Sequence, residues 1–291
     1  MKNCPLTRCD VRLMSKLAEK SRRCLRSLGQ AVFEIINEIL SYLVGKTGFA
    51  WFIFFIFGRI LPVPVVRVRG VPIKVIIPLN EVGVYNTVKN WEEREPEVLD
   101  WIDAFEPGCT FIDIGASFGT ETLYAALKRG GPAKIVAFDL TLTSSFNLAY
   151  NISLNNITKV DQYYLALSDG LKLHSFSEPS QYHSVKGREK YDQVTYNTLS
   201  ISLDQFIQMT GITPDYIKID VDGGEEALIM GMAESVREAK LKSVVVEVSE
   251  KSEAAVTGFF QNAGFSIVYE RILEEQEHLF FKNIIFRKNP A

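Results

Sequence analysis

The sequence predicts an α/β fold. Its core is a doubly wound, mostly parallel seven-stranded sheet with a reversed C-terminal hairpin strand. A helical N-terminal segment and a small β element precede it. Three observations carry this prediction. From Cys109 onward, short apolar runs alternate with helical patterns, as parallel strands joined by crossover helices do. The last two strands are separated only by Glu274 to Glu277, too short a link for a crossover, so they pair antiparallel. Finally, 291 residues with 47% apolar and 23% charged side chains suffice for a full globular core.

The composition excludes several function classes. With 32 Lys and Arg against 35 Asp and Glu, the net charge is −3, which argues against a basic nucleic-acid-binding surface. Cys4, Cys9, Cys24 and Cys109 form no C-x-x-C pair, and no His lies near the N-terminal trio. They read as free thiols in a reducing compartment, hence a cytoplasmic protein, rather than as a disulfide framework or metal site.

Three regions follow: an appendage over 1–61, a β-hairpin and helix over 62–108, and the core over 109–291. In the appendage, residues 1–30 are basic, and Ala31 to Gly45 places Val32, Ile35, Ile36, Ile39, Leu40 and Leu43 at helical spacing. Gly48 to Phe57 has ten residues without a polar side chain, and Lys46 and Arg59 leave 12 between them. A spanning helix needs about 20. The run is either a helix packed on the main domain or an interfacial anchor, with peripheral membrane contact through residues 31–61.

Val63 to Val68 and Val71 to Ile77 read as two antiparallel strands around Gly70, and Glu92 to Phe105 as a helix. Core strands are expected at Thr110–Ile114, Lys134–Asp139, Val160–Ser168, Tyr216–Val221 and Ser243–Val248, then Phe265–Leu273 and His278–Lys288. Helices are expected at Gly119–Lys128, Thr143–Asn155, Ser202–Met209, Glu225–Met232 and Ser252–Ala263. Ser202 is a suitable N-cap. Two further strands, Leu171–Ser177 and Gln193–Leu199, flank a polar loop.

The first core strand ends in Phe111-Ile-Asp-Ile-Gly-Ala-Ser-Phe-Gly119 and opens a helix. Gly115 permits a tight turn and close backbone approach, and Gly119 permits close packing at the helix start. The spacing is G-x-x-x-G rather than G-x-G-x-x-G, so no pyrophosphate cradle is implied. Asp113 shares a strand face with Gly115. Asp139 ends the next strand, 24 residues after Gly115, where an acidic residue reads as a ribose-hydroxyl partner. Ser168 and Asp169 end the third strand, where an adenine edge would be met.

With these motifs in place, the chain resembles the FkbM family of S-adenosylmethionine-dependent methyltransferases. The resemblance rests on FIDIGASFGTET (111–122), AFD (137–139), NLAYNISLNN (147–156), LALSD (165–169) and PDYIKIDVDGGEEALIMG (214–231), and covers about residues 85–288. It implies a class I methyltransferase fold of Rossmann-like type, with the reversed hairpin strand at the sheet edge. S-adenosylmethionine is the implied cofactor, and a hydroxyl oxygen of a small molecule or glycan the implied acceptor. Asp113, Gly115, Ala116, Ser117 and Gly119 would line the methionine end of the cofactor site, with Asp139 at the ribose and Ser168 and Asp169 beyond it. The sequence departs from the family pattern at Asp139-Leu140, where Glu-Pro is common, and at Ser117, where Asn is common.

The chemical end is read from the fourth strand. Lys218, Asp220 and Asp222 share one parity and converge at its carboxyl end, where ligands of open α/β sheets bind. A Lys and an Asp in an apolar strand are costly unless paired or functional. Asp220 is expected to orient or deprotonate the acceptor hydroxyl, with Lys218 tuning its charge and Glu225 opening the next helix. A buried Lys218–Asp220 ion pair is the alternative. Glu247, inside the fifth strand, could face the same cleft. Asp220, Asp222 and Glu225 could hold Mg²⁺, but no spacing rule demands it, and no metal site is expected. His183 lies in the polar loop together with Lys186, Arg188 and Lys190, and reads as a surface residue. Two other functions fit the architecture: a nicotinamide-dependent oxidoreductase, and a non-catalytic membrane-associated scaffold.

Overall fold

A computed structural model describes residue 35 and residues 63–76, 82–179, 193–276 and 279–290. The chain divides into two units, Met1–Pro62 and Val63–Ala291, and Ile35, in a helix, is the described residue of the first. The expectations for residues 31–34 and 36–61, for the loop carrying His183, Lys186, Arg188 and Lys190, and for His278 lie outside the described residues. Among the described residues, no helix is long and apolar enough to cross a membrane.

The second unit opens with an antiparallel pair, β1 (Val65–Val68) and β2 (Val71–Lys74). Helices α1 (Val82–Lys89), α2 (Trp91–Arg94) and α3 (Pro96–Asp103) follow. The expected single helix over 92–105 is broken at Glu95, whose backbone is extended at φ −136° and ψ 62°. Pro96 causes the break, because its ring excludes the residue before it from helical geometry. The same proline suits the first turn of α3.

Strands β3 (Thr110–Ile114), β4 (Lys134–Asp139) and β5 (Val160–Tyr164) alternate with α4 (Thr120–Leu127) and α5 (Leu142–Leu154). The expected third strand, 160–168, is split. Its end is β6 (Ala166–Leu167), which joins β7 (Lys172–Pro179) and β8 (Gln193–Ile201) in a separate three-stranded sheet. Then come α6 (Leu203–Thr210), β9 (Tyr216–Ile219), α7 (Glu225–Met230), β10 (Ser243–Ser249), α8 (Glu253–Asn262), β11 (Phe265–Gln276) and β12 (Leu279–Lys288). Ser202 caps α6 in a reciprocal capping box with Gln205.

The main sheet has seven strands in the order β11-β12-β10-β9-β3-β4-β5. β12 is antiparallel to both neighbours, and the pairs among β10, β9, β3, β4 and β5 are parallel. The reversed strand therefore lies one place inside the edge rather than at it. β11 takes the edge, because the hairpin link reverses β12 so that it can insert beside β10.

Apolar layers cover both sheet faces, which explains the nearly continuous hydrophobic strands. Ile112, Val136, Ile217 and Val246 pack on one side with Phe206, Phe260 and Phe286. Phe111, Ile135, Tyr216 and Val245 pack on the other with Trp91, Leu99, Trp101 and Leu123. The Asn-rich end of α5 has a structural use. Asn151 accepts from Ile76 N and donates to Phe118 O, while Asn155 bonds both backbone groups of Lys74. These bonds fix the small hairpin to the core.

Candidate active site

The carboxyl ends of β3, β4 and β9 meet at two adjoining cavities. The larger, about 450 Å³, is walled by Phe138, Leu140, Leu165 and Phe176 and carries Asp139, Ser168, His174 and Asp220–Gly224. The smaller, about 60 Å³, lies among Thr87, Trp91, Arg94, Glu95, Ser117, Thr120 and Glu121. Gly115 and Asp220 belong to both. A roomier cavity of about 620 Å³ opens beside Tyr216 and Ser243, at the amino ends of β9 and β10. Open α/β sheets bind ligands at the opposite end, where the buried Glu95, Glu121 and Asp139 lie.

The β3–α4 loop is shaped by contacts inside the protein. Gly115 and Ala116 both donate to Phe138 O. Gly115 has φ +79°, and a Cβ there would lie 1.6 Å from Asp220 O. The residue is thus glycine because the end of β9 passes against it. Gly119 has φ +99°, and its Cβ would meet Leu148 Cδ1 at 2.4 Å, so it allows α5 to pack at the start of α4. Ala116 is buried with Ala137 and Leu148. Ser117 is exposed and has φ +50°; Asp222, across the site, has φ +41°. Such non-glycine conformations are strained and gather at functional sites.

Asp139 is 8% exposed. Its Oδ2 accepts from Ser117 N at 2.8 Å, and its Oδ1 accepts from Thr141 N at 2.8 Å and Thr141 Oγ1 at 2.6 Å. Burial raises its pKa, while the Thr141 and Ser117 bonds oppose the rise. Oδ2 retains acceptor capacity for a further donor. Ser168 lines the larger cavity. Asp169 instead pairs with Lys172 at 2.6 Å, which lowers its pKa, and it lines neither cavity.

Asp113 is fully buried beneath the loop and also lines neither cavity. Its Oδ2 accepts from Thr122 Oγ1 at 2.6 Å, while Oδ1 has no hydrogen-bond partner among the described residues. Burial pushes its pKa to about 7, against the pull of Lys218. Strand parity puts Asp113 on the face of Gly115, but the site lies at the strand end, one register step beyond.

Lys218 is 3% exposed and donates to Asp220 Oδ2 at 2.8 Å. Burial opposes its charge, yet Asp220, Glu121, Asp113 and Glu95 together hold its pKa well above the usual lysine value. Glu225 is buried and accepts from Gly223 N at 2.7 Å. It shapes the β9–α7 loop and lines neither cavity. Glu247 does converge with Asp220 and Asp222: one oxygen of each lies within 4.8 Å of the others. These three, rather than a set including Glu225, could share a cation. Burial, then Asp220, raises Glu247 to about 8, and Asp222 is raised by burial and by Asp220.

The sequence reading did not place His174, Phe176 or the α1–α2 residues at the site. His174 Nε2 lies 2.9 Å from Ser200 Oγ, and both His174 and Phe176 line the larger cavity. The signal was their i, i+2 spacing in a strand, which sends both to one face.

The strand order and reversed β12 are those of a Rossmann-like class I methyltransferase. A family model described as the methyltransferase FkbM domain matches residues 113–267, more than half of the chain. The chain belongs to this FkbM methyltransferase family, whose cofactor is S-adenosylmethionine.

No curated protein matches the chain. Among solved structures, an FkbM methyltransferase from Methylobacillus flagellatus KT is 13% identical at a TM-score of 0.45, covering 62% of this chain and 44% of that one. This chain thus spans less than half of that protein's length. Trm5b from Pyrococcus abyssi is 12% identical at a TM-score of 0.43, covering 76% and 54%. M. jannaschii TYW2, in complex with AdoMet, is 12% identical at a TM-score of 0.42, covering 77% and 86%.

Proposed function

We propose that the chain is an S-adenosylmethionine-dependent methyltransferase acting on a hydroxyl oxygen of a small molecule or glycan. One observation supports this reading most: the Asp220 carboxylate sits where the two cavities adjoin, and Lys218 holds it there.

The residues present fit the cofactor. The larger cavity has the volume of a small-molecule site. Its apolar walls suit a flat base, and Asp139 offers a free acceptor position to a ribose hydroxyl. Ser168 and His174 add polar groups to its lining. When bound, the cofactor supplies a methyl group on a sulfonium, which is intrinsically activated for displacement.

The chain's own part is alignment and exclusion of water. Asp220 would accept a hydrogen bond from the acceptor hydroxyl and aim its oxygen, taking the proton as transfer proceeds. Lys218 orients that carboxylate. Glu225, through Gly223 N, holds the loop that carries Asp222. Phe138, Leu165 and Phe176 give the larger cavity its apolar walls.

Incubation with methyl-labelled S-adenosylmethionine and a panel of small hydroxylated metabolites and glycans tests this. Label in an ether linkage supports it. Label on nitrogen or carbon would move the acceptor class. A melting shift with NAD and none with S-adenosylhomocysteine would favour an oxidoreductase. The net charge of −3 argues against a nucleic-acid acceptor. The short apolar run within residues 31–61 suits a cytoplasmic protein held at most peripherally at a membrane, and carbonate washing of membranes should release it.

A further inference from the structure

Five of the eleven residues that line the smaller cavity lie upstream of the family-matched segment. At about 60 Å³ it has a scale suited to a small charged group. Its lining carries both signs of charge. Trp91 and Arg94 supply donors. Trp91 is 4% exposed, and its Nε1–H has no acceptor among the described residues. A buried donor left without an acceptor is rare and calls for an explanation. Arg94 bonds Thr87 Oγ1 at 3.0 Å and Glu95 Oε1 at 3.1 Å, so N–H groups of its five-donor fork remain.

Glu95 and Glu121, 7% and 8% exposed, line the same cavity. Among the described residues, Lys218 is the buried cation facing them, and it is already bonded to Asp220. Burial and then Glu121 raise the pKa of Glu95, as expected where negative charge is in excess. A simple anion would meet two carboxylates here, and a simple cation would meet Arg94. A zwitterion offers a partner to both signs of charge.

We infer that the segment Thr87–Glu95 completes a pocket for an α-amino-acid head group, with Trp91 and Arg94 receiving the carboxylate and Glu95 and Glu121 the ammonium. The inference rests on the cofactor reading, since S-adenosylmethionine carries such a head group. It assigns the carboxylate to α2 and the ammonium to Glu95 and Glu121 at the starts of α3 and α4, and leaves the adenosyl end to the larger cavity.

The test is calorimetric titration of the full chain with two ligands. S-adenosylhomocysteine carries the head group; 5′-methylthioadenosine lacks it. Trp91→Phe removes one N–H and keeps an aromatic ring. It should weaken S-adenosylhomocysteine about tenfold, as expected for a hydrogen bond to a charged group, and leave 5′-methylthioadenosine unchanged. If Trp91→Phe lowers the melting temperature, the same comparison on Glu95→Gln decides, with the same expected pattern. Equal weakening of both ligands, or no weakening of either, overturns the inference while the cofactor reading stands. A wild-type chain that binds neither ligand overturns both.

Discussion

The carbonyl oxygen of Asp220 occupies the place where a side chain on Gly115 would begin: a Cβ there would lie 1.6 Å from it. Two loops from adjacent strands, β3 and β9, are thereby locked against each other at the mouth of the site. Gly115→Ala has no relief, because the obstructing atom is backbone and φ is +79°. The left-handed conformation costs about 1–2 kcal/mol and overpacking about 1–3 kcal/mol more. We expect Gly115→Ala to lose about 3 kcal/mol in urea unfolding. A variant as stable as the parent would mean that the β9 loop moves freely.

Much of the fold is legible because the signals are local. Lys134–Asp139 is an apolar run ended by a charge, and it is β4 without adjustment. The hairpin of β11 and β12 follows from a link too short to cross over. Strand order is not local: β12 inserts between β10 and β11, and nothing in Leu279–Lys288 names its neighbours. The site divides in the same way. Asp139, Lys218 and Asp220 are marked by charge at the ends of apolar strands. Trp91 and Glu95 carry no such mark, since a Trp and a Glu in a helical stretch read as core and surface. Their role depends on residues twenty or more positions away, among them Gly115 and Asp220. Asp113 shows the limit of parity: the face is right, but depth along the strand decides between lining a cavity and lying beneath it.

The buried Asp113 gives a pH signature. Its folded pKa, about 7, lies above the ordinary aspartate value. Between pH 4 and 7 the folded state therefore holds a proton that the unfolded state has released. Stability falls as pH rises through this window and levels above it. Asp113→Asn mimics the protonated form and should flatten the fall, most clearly in urea midpoints taken from pH 4.5 to 7.5. An unchanged slope would show that Asp113 is ionised throughout, with Lys218 outweighing burial.

Asp139 serves both the loop and the proposed ribose contact. Asp139→Ala removes acceptors for Ser117 N, Thr141 N and Thr141 Oγ1. We expect S-adenosylhomocysteine affinity to fall by about 1–3 kcal/mol, the range for lost charged hydrogen bonds. Asp139→Asn keeps an acceptor oxygen and should recover part of the loss. Unchanged calorimetric affinity in the alanine variant would remove Asp139 from the cofactor site.

Asp220 separates a catalytic role from a structural one. Lys218 is buried and donates to it at 2.8 Å, while Asp220 itself remains partly open to both cavities. If the carboxylate aims the acceptor hydroxyl, Asp220→Asn should keep cofactor affinity and lower turnover by a factor on the order of 10² or more. If it serves instead to neutralise Lys218, the variant should lose stability, by up to roughly 3–5 kcal/mol for a buried charge left without its partner. Asp113, Glu121 and Glu95 also act on Lys218, so part of that cost is compensated within the same cluster. We therefore expect a modest drop in melting temperature together with a large drop in turnover. Both are read on one preparation with the labelled methyl donor. Normal turnover in Asp220→Asn would pass the role to Glu247, which converges on the same point from β10.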